Sequence, residues 1–254
     1  MFRITLITAI AFGAAGAYAQ TLYYVDDSRD YLYSIDVNTL NVTPIGSLGV
    51  GGDFGDMAWD ATTSTMYYIG GRGNDNLYTL NLNTGAATLV GNYGVDDMFT
   101  LAADNTGQLY AQSTNGSVYK INKTNGSASA IGSNQVYPGG YTWDSKNGRV
   151  VFMEAGGGNA YSVDRSNGSV TLIGASLGFI NDNDIAYEAG SNQYYAMDWS
   201  GDFYRWDGAF STRTHIGGGY AAVAACDFAN VVPEPASVSV LGLGVLALLR
   251  RKRK

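Results

Sequence analysis

Residues that commonly build catalytic or cross-linked sites are scarce in this 254-residue chain. The single cysteine, Cys226, excludes an intramolecular disulfide, so the fold must be stabilised by packing. The single histidine, His215, excludes most histidine-based catalysis and most zinc sites. We expect His215 to be a structural residue in an outer strand, and Cys226 to be a buried packing residue.

Positive charge is also scarce. The chain has 15 basic and 22 acidic residues, which gives a net charge of -7. Six of the basic residues lie in the terminal segments, at Arg3 and at positions 250–254, so the central part is more acidic than the net charge suggests. A strongly acidic domain repels phosphate backbones, and we therefore expect no nucleic-acid binding.

Glycine and tyrosine are abundant, with 34 and 19 residues. Many turns combined with many aromatic residues favour β-strands, and no amphipathic helical pattern interrupts the chain between positions 21 and 228. The composition therefore predicts an all-β domain.

A fourteen-residue frame that begins with Tyr and ends with Gly occurs five times. The frames run from Tyr33 to Gly46, Tyr78 to Gly91, Tyr119 to Gly132, Tyr161 to Gly174 and Tyr204 to Gly217. An aliphatic residue always precedes the closing Gly, and the middle of three frames carries an Asn/Gly turn. The first and last frames depart from this pattern, with Leu40 and Ser211 at the turn-glycine position. Each frame is predicted to be a β-hairpin within a repeated unit.

Two more strand-like runs precede each complete frame, as in Met57–Asp60 and Met66–Ile69. Four antiparallel strands at this spacing resemble a β-propeller blade, so the chain is similar to propeller proteins over about 200 residues. The first frame lacks an innermost strand, whereas a spare strand, 221–228, follows the last frame. The sequence predicts a five-bladed β-propeller that strand 221–228 closes by pairing beside Leu22–Val25.

The alignment of the units gives three columns with structural interpretations. The frame tyrosines are predicted to pack between adjacent blades. Small residues are predicted near the axis at Ala58, Ala102, Thr142, Ala186 and Ala225. Acidic residues are predicted to stabilise turns at Asp60, Asp104, Asp144, Glu188 and Asp227. In this alignment Cys226 takes the place of Trp59.

Residues 1–19 have the features of a secretory signal peptide. Arg3 supplies the positive charge, an apolar region follows, and Ala17-Tyr18-Ala19 is a cleavage site of the A-x-A type. We expect the mature chain to begin at Gln20.

The C-terminal segment has three parts in a fixed order. Residues 229–235 are a linker that ends in Pro233-Glu234-Pro235, and residues 236–254 form a predicted apolar helix followed by a basic tail. This order resembles the PEP-CTERM sorting signal of exported bacterial proteins. The resemblance implies transient membrane anchoring, processing by an exosortase-type enzyme and, in bacteria that make exopolysaccharide, a place at the cell surface. The alternative is an ordinary tail anchor, although the apolar run Val238–Leu249 is short for a membrane span.

Three loops that precede inner strands carry paired acidic residues: Asp53 and Asp56, Asp96 and Asp97, and Asp182 and Asp184. Converging carboxylates suit Ca²⁺, which prefers oxygen ligands. Asp56, Asp97 and Asp184 are also candidate acid/base groups for cleaving a glycoside. The alternative is that they are ordinary loop residues. No other cofactor is expected.

The sequence leaves two functional hypotheses open. The first is a non-catalytic propeller outside the cell that binds a glycan or a surface protein. The second is an extracellular polysaccharide hydrolase or lyase that uses the three candidate carboxylates. Fold alone does not distinguish them.

Overall fold

The computed structural model describes residues 21–181, 183–220 and 222–229. These residues form twenty strands in five antiparallel sheets of four, and no helix occurs among them. The predicted five-bladed β-propeller is confirmed. The predicted signal peptide and the C-terminal sorting segment lie outside the described residues.

The strands run in chain order around the ring, and the last strand returns to the first sheet. Blade 1 contains β20 (Val223–Phe228), β1 (Thr21–Asp26), β2 (Tyr31–Asp36) and β3 (Val42–Ser47). Blade 2 contains β4 (Asp56–Asp60), β5 (Thr65–Ile69), β6 (Asn76–Leu80) and β7 (Ala87–Asn92). Blade 3 contains β8 (Ala102–Ala103), β9 (Leu109–Gln112), β10 (Ser117–Ile121) and β11 (Ala128–Ser133). Blade 4 contains β12 (Pro138–Asp144), β13 (Arg149–Glu154), β14 (Ala160–Val163) and β15 (Val170–Gly174). Blade 5 contains β16 (Asn183–Glu188), β17 (Gln193–Asp198), β18 (Phe203–Asp207) and β19 (Arg213–Gly217).

Strand β20 closes the ring as predicted, because it pairs with β1 and becomes the inner strand of blade 1. We call the end of the channel where the inner strands begin, as at Asp56, the upper end, and the end where they finish, as at Asp60, the lower end. Leu22 pairs with Phe228, so both ends of the described chain leave the propeller at the lower end.

The closing strand lies in a different register from the predicted alignment. Tyr24 lies opposite the frame tyrosine of blade 1 and pairs with Cys226 on its other side. Tyr68 lies opposite the frame tyrosine of blade 2 and pairs with Met57. Cys226 is therefore equivalent to Met57, two positions away from the predicted match. The alignment was wrong because it matched the Ala-x-Asp letters, whereas backbone pairing with β1 sets the register.

The corrected register changes the position of one acidic residue. Asp227 is equivalent to Ala58 and lies in the small-residue column instead of the turn column. The other acidic residues of that column do bind turn backbone at the lower end, as Asp60 does at the N–H of Thr62 and Glu188 at the N–H of Gly190. The turn prediction is confirmed for these residues and is wrong for Asp227.

The hydrophobic core is divided into five clusters, one between each pair of adjacent blades. The frame tyrosine of each blade packs in the cluster that it shares with the preceding blade. Tyr78, for example, lies with Val25 and Leu32 of blade 1. The predicted packing of the tyrosine column between blades is confirmed.

The closing glycine and the turn glycine of the frames are both explained by the packing of adjacent blades. In each blade the aliphatic residue before the closing Gly is an extra residue in the outermost strand, so a β-bulge forms there. In blades 1 to 4 the turn of the next blade then packs directly on the closing Gly. A Cβ at Gly91 would collide with the backbone carbonyl of Asn125, and Gly126 beside it adopts a φ of 78°. In the two frames without the turn glycine, Leu40 and Phe210 take the positive φ instead.

Candidate functional site

The channel is lined by the free edges of the five inner strands, because each inner strand pairs on one side only. Free edges carry unpaired backbone N–H groups, which are costly when they are buried. Five of these groups, one from each blade, donate hydrogen bonds to only two side chains, Asp56 and Asp184. The donors are the N–H groups of Met57, Leu101, Tyr141, Ile185 and Cys226.

Asp56 accepts three of these bonds, at 2.6 Å from Met57, 2.5 Å from Leu101 and 3.0 Å from Tyr141. Asp184 accepts the other two, one from Ile185 at 2.7 Å and one from Cys226. The two carboxyl groups therefore connect all five blades at the axis.

The two carboxyl groups share a proton. Both side chains are fully buried, and Asp56 donates a hydrogen bond to Asp184. Burial and the facing Asp184 carboxylate raise the pKa of Asp56, and burial raises the pKa of Asp184. The hydrogen bond between the two carboxyl groups thus holds this proton on Asp56. We call these two residues the axial pair.

Gly140 provides the space that the axial pair needs. It precedes Tyr141 as Asp56 precedes Met57, so it lies at the same level of the channel. A Cβ at Gly140 would collide with the carboxylate of Asp184. The axial pair therefore fills the channel at this level, and no other acidic side chain could be added.

Four aromatic side chains lie in a row across the upper end of the channel. Ring centroids are 4.7 Å apart for Trp199 and Phe54, 5.6 Å for Phe54 and Phe99, and 6.4 Å for Phe99 and Tyr137. The Arg72 guanidinium lies over Phe54 and Phe99, at 4.9 and 5.4 Å from their centroids. We call these four rings the aromatic strip. The hollow beside the strip has a volume of only about 20 Å³.

A polar groove of about 610 Å³ lies next to the aromatic strip on the same end. Arg72 contributes to both features and forms an ion pair with Asp53 at 3.1 Å. Asn74 accepts hydrogen bonds from Asn76 and from the Tyr78 hydroxyl at 3.0 Å each. Amide and carboxylate groups beside aromatic rings can bind a ligand that has both hydroxyl groups and apolar faces.

The structure separates the acidic residues that the sequence grouped together. Asp56 and Asp184 are equivalent, as predicted, but both face inward along the channel, whereas Asp53 lies on the rim and pairs with Arg72. Asp182 lies outside the described residues.

Asp96 and Asp97 lie between β7 and β8, near Asp75. Burial raises the pKa of Asp75, and the charges of Asp96 and Asp97 raise it further. Within the described part of the chain, no group of three or more His, Cys, Asp or Glu is arranged to hold a metal ion.

His215 is half-exposed in β19, where its Nε2 atom lies 3.0 Å from Asp202, so it forms a local contact on the outer strand. Cys226 is buried, and burial raises the pKa of its thiol. The predicted burial of Cys226 is confirmed.

Sequence reasoning missed the aromatic strip. Phe54 lies within the same short loop as Asp53 and Asp56, and Phe99 lies next to the second acidic pair. In the sequence, only the carboxylates of these loops indicated a functional site. The signal that could have identified three of the four rings is an aromatic residue in a loop that enters an inner strand, whereas Trp199 lies between β17 and β18.

The fold and the channel define a five-bladed β-propeller whose axis is closed by a buried carboxyl pair. The chain carries a PEP-CTERM protein-sorting motif at residues 231–254, which implies export and handling by an exosortase-type enzyme. The resemblance seen at Pro233, Glu234 and Pro235 is thereby confirmed. Among the described residues no helix is long and apolar enough to cross a membrane.

Solved structures show the same fold at low sequence identity. A chain in the crystal structure of a nidogen/laminin complex is 14% identical with a TM-score of 0.58, over 84% of this chain and 81% of that chain. A structural genomics protein of unknown function from Bacteroides thetaiotaomicron is also 14% identical with a TM-score of 0.58, over 80% of this chain and 56% of that chain. No match was found among curated proteins.

Proposed function

We propose that the protein is a non-catalytic binding module outside the cell, and that it binds a polysaccharide at the upper end of its propeller. The observation that carries this proposal is the aromatic strip with its adjoining polar groove. Aromatic side chains can contact the apolar faces of sugar rings, and Asp75 and Asn92 offer polar groups to sugar hydroxyls. The acidic rim favours a neutral or cationic polymer over an anionic one.

The burial of the axial pair supports binding over catalysis. A glycoside hydrolase needs two carboxyl groups that flank the scissile bond. Asp56 and Asp184 are both inaccessible, and their oxygens already accept backbone hydrogen bonds. Of the three candidate carboxyl groups, only that of Asp97 would remain.

The positions of the chain ends support an outward-facing binding surface. Thr21 and Ala229 lie at the lower end, and the sorting motif follows Ala229 in the sequence. While the apolar run Val238–Leu249 holds the chain in the membrane, the aromatic strip would face away from the membrane. Cleavage after Ala19 and processing at Pro233-Glu234-Pro235 would then release the propeller to the cell surface or the extracellular matrix.

Calcium binding stays a prediction that rests on Asp53, Asp96 and Asp97, because the axial pair is already occupied by backbone donors. A ligand that binds only the folded state raises the melting temperature with concentration. A rise at millimolar Ca²⁺ that Asp96→Asn abolishes would support a site in this loop, and an unchanged melting temperature would contradict one.

A glycan-array screen with the purified protein tests the proposed function. We expect binding to a polysaccharide that Phe54→Ala and Trp199→Ala each reduce at least about tenfold, equivalent to about 1.4 kcal/mol. Leu172→Ala is the matched control, because Leu172 is an exposed apolar residue on the outer strand β15. Equal losses in all three variants, or shortening of the polysaccharide by the wild-type protein, would contradict the proposal.

A further inference from the structure

A second cavity, of about 210 Å³, opens at the lower end of the channel, on the far side of the axial pair. All five blades contribute to its lining, and residues of the inner strands form most of it. A water molecule occupies about 30 Å³ in the liquid, so the cavity has room for a compact small molecule. It is separate from the polysaccharide surface proposed at the upper end.

The corrected register shows that aromatic residues from four blades surround the cavity. The position two residues after Met57 in each blade is Trp59, Ala103, Trp143, Tyr187 or Phe228. Four of the five blades thus place an aromatic side chain at the same level, and all four line the cavity. Aromatic faces attract cations through their quadrupole. The Arg165 guanidinium already lies 4.8 Å from the centroid of Trp143.

Asp227 supplies a carboxyl group to this cavity. It lies where the other blades have small residues, and its oxygens accept the N–H groups of Trp59 at 2.7 Å and Phe228 at 2.8 Å. These neutral donors hold the carboxyl group in place but do not balance its charge.

The three aspartates at the lower ends of the inner strands of blades 2, 3 and 4 are each matched by a cation. Asp60 pairs with Lys123, Asp104 with Arg165 and Asp144 with Arg149, at 2.5, 2.6 and 2.9 Å respectively. No Lys or Arg among the described residues forms an ion pair with Asp227. The cavity therefore combines an aromatic wall with the one unbalanced aspartate among these four.

We propose that the lower cavity binds a small organic ammonium ion, with the cationic group between the aromatic side chains and Asp227. A hydrated metal ion fits this chemistry less well, because the wall is mostly apolar and its second carboxyl group, that of Asp104, is already paired with Arg165. An organic ammonium ion uses both features, since its alkyl groups contact the rings while its charge faces the carboxylate.

Calorimetric titration of the intact protein with choline chloride at about pH 8.5, where the Asp227 carboxyl group is ionised, tests this proposal. We expect saturable binding, and at least tenfold weaker binding to Asp227→Asn and to Trp59→Leu. Phe54→Ala, at the upper end, should bind choline as the wild type does. Melting curves establish that each variant is folded.

A second measurement needs no variant of the protein. The neutral analogue of choline, in which a tert-butyl group replaces the trimethylammonium group, has the same shape without the charge. It should bind at least tenfold more weakly to the wild-type chain. Equal affinity for both compounds, undiminished binding by folded Asp227→Asn, or no choline binding at millimolar concentration would each overturn the proposal.

Discussion

Asp56 and Asp184 lie on the axis of the ring, where two side chains are enough to connect all five blades. Each inner strand presents a buried N–H group that no neighbouring strand can satisfy, and the axial pair satisfies one in every blade. Carboxyl oxygens suit this task because each can accept more than one hydrogen bond. The sharing of one proton limits the charge that is buried.

Substitutions of Asp56 should distinguish the contribution of its hydrogen bonds to stability from the contribution of its charge. Asp56→Ala leaves three buried N–H groups unpaired, each at a cost of about 1–3 kcal/mol, so we expect a loss of at least about 3 kcal/mol in the free energy of unfolding. Asp56→Asn keeps an oxygen acceptor and a donor to Asp184, and should lose much less. Urea unfolding measures both variants, and equal losses would contradict the shared-proton arrangement.

Asp227 makes a testable contribution to the pH dependence of stability. Burial raises the pKa of Asp227 to about 7, whereas the pKa of an Asp in an unfolded chain is about 3.9. Between these values the folded chain holds a proton that the unfolded chain releases, so this contribution to stability is lost as the pH rises from about 4 to about 7. The axial pair acts in the same direction. Asp60, Asp104 and Asp144 have lowered pKa values, so their contributions are lost only at lower pH.

The variant Asp227→Asn should therefore show a shallower decline in stability over this interval than the wild type. Urea unfolding at about pH 4.5 and about pH 7.5 gives the comparison. An identical decline in both proteins would mean that Asp227 titrates alike in the folded and unfolded states.

At the scale of the strands, the closing glycines fix the distance between neighbouring blades. A methyl group at Gly91 would collide with backbone of the next blade, which cannot move without shifting a whole turn. At Gly217 the nearest atom is the hydroxyl oxygen of Tyr220, at the end of a side chain. The same substitution should therefore have different costs at these two equivalent positions.

We expect Gly91→Ala to cost about 1–3 kcal/mol, in the range of over-packed cores, and Gly217→Ala to cost less. Thermal unfolding of both variants measures the difference. Greater destabilisation by Gly217→Ala would show that the outermost bulge does not set the blade spacing.

The sequence predicted the repeated hairpins well, because each one is determined locally by its bulge, its turn and its tyrosine. It did not predict the register of β20, because that strand lies nearly 200 residues from its partner β1 and resembles the other inner strands only loosely. The error placed Asp227 in a turn and concealed the ring formed by Trp59, Trp143, Tyr187 and Phe228. The aromatic strip was missed for a similar reason, since its rings meet only when four loops converge.

At the scale of the whole molecule, β20 completes the ring in two ways, by strand pairing in blade 1 and by hydrogen bonds to two other blades. It pairs with β1, its Cys226 N–H reaches Asp184 of blade 5, and its Asp227 binds Trp59 of blade 2. Removing it would expose an edge of β1 and open two interfaces between blades.

A chain that ends at residue 221 should therefore melt at a much lower temperature than one that ends at residue 229. Both lack the sorting motif, so the comparison isolates the closing strand. Equal melting temperatures would contradict ring closure as a source of stability.

The most direct test of a binding propeller with a closed axis compares a variant of the aromatic strip with a variant of the axial pair. The measurement is a calorimetric titration of the wild type, Phe54→Ala and Asp56→Asn with the polysaccharide that the array identifies. We predict that Phe54→Ala loses at least about tenfold in affinity, while folded Asp56→Asn binds like the wild type and no variant cleaves the polymer. Normal binding by Phe54→Ala, together with polymer cleavage by the wild type that Asp56→Asn abolishes, would contradict the account and make the axial carboxyls catalytic.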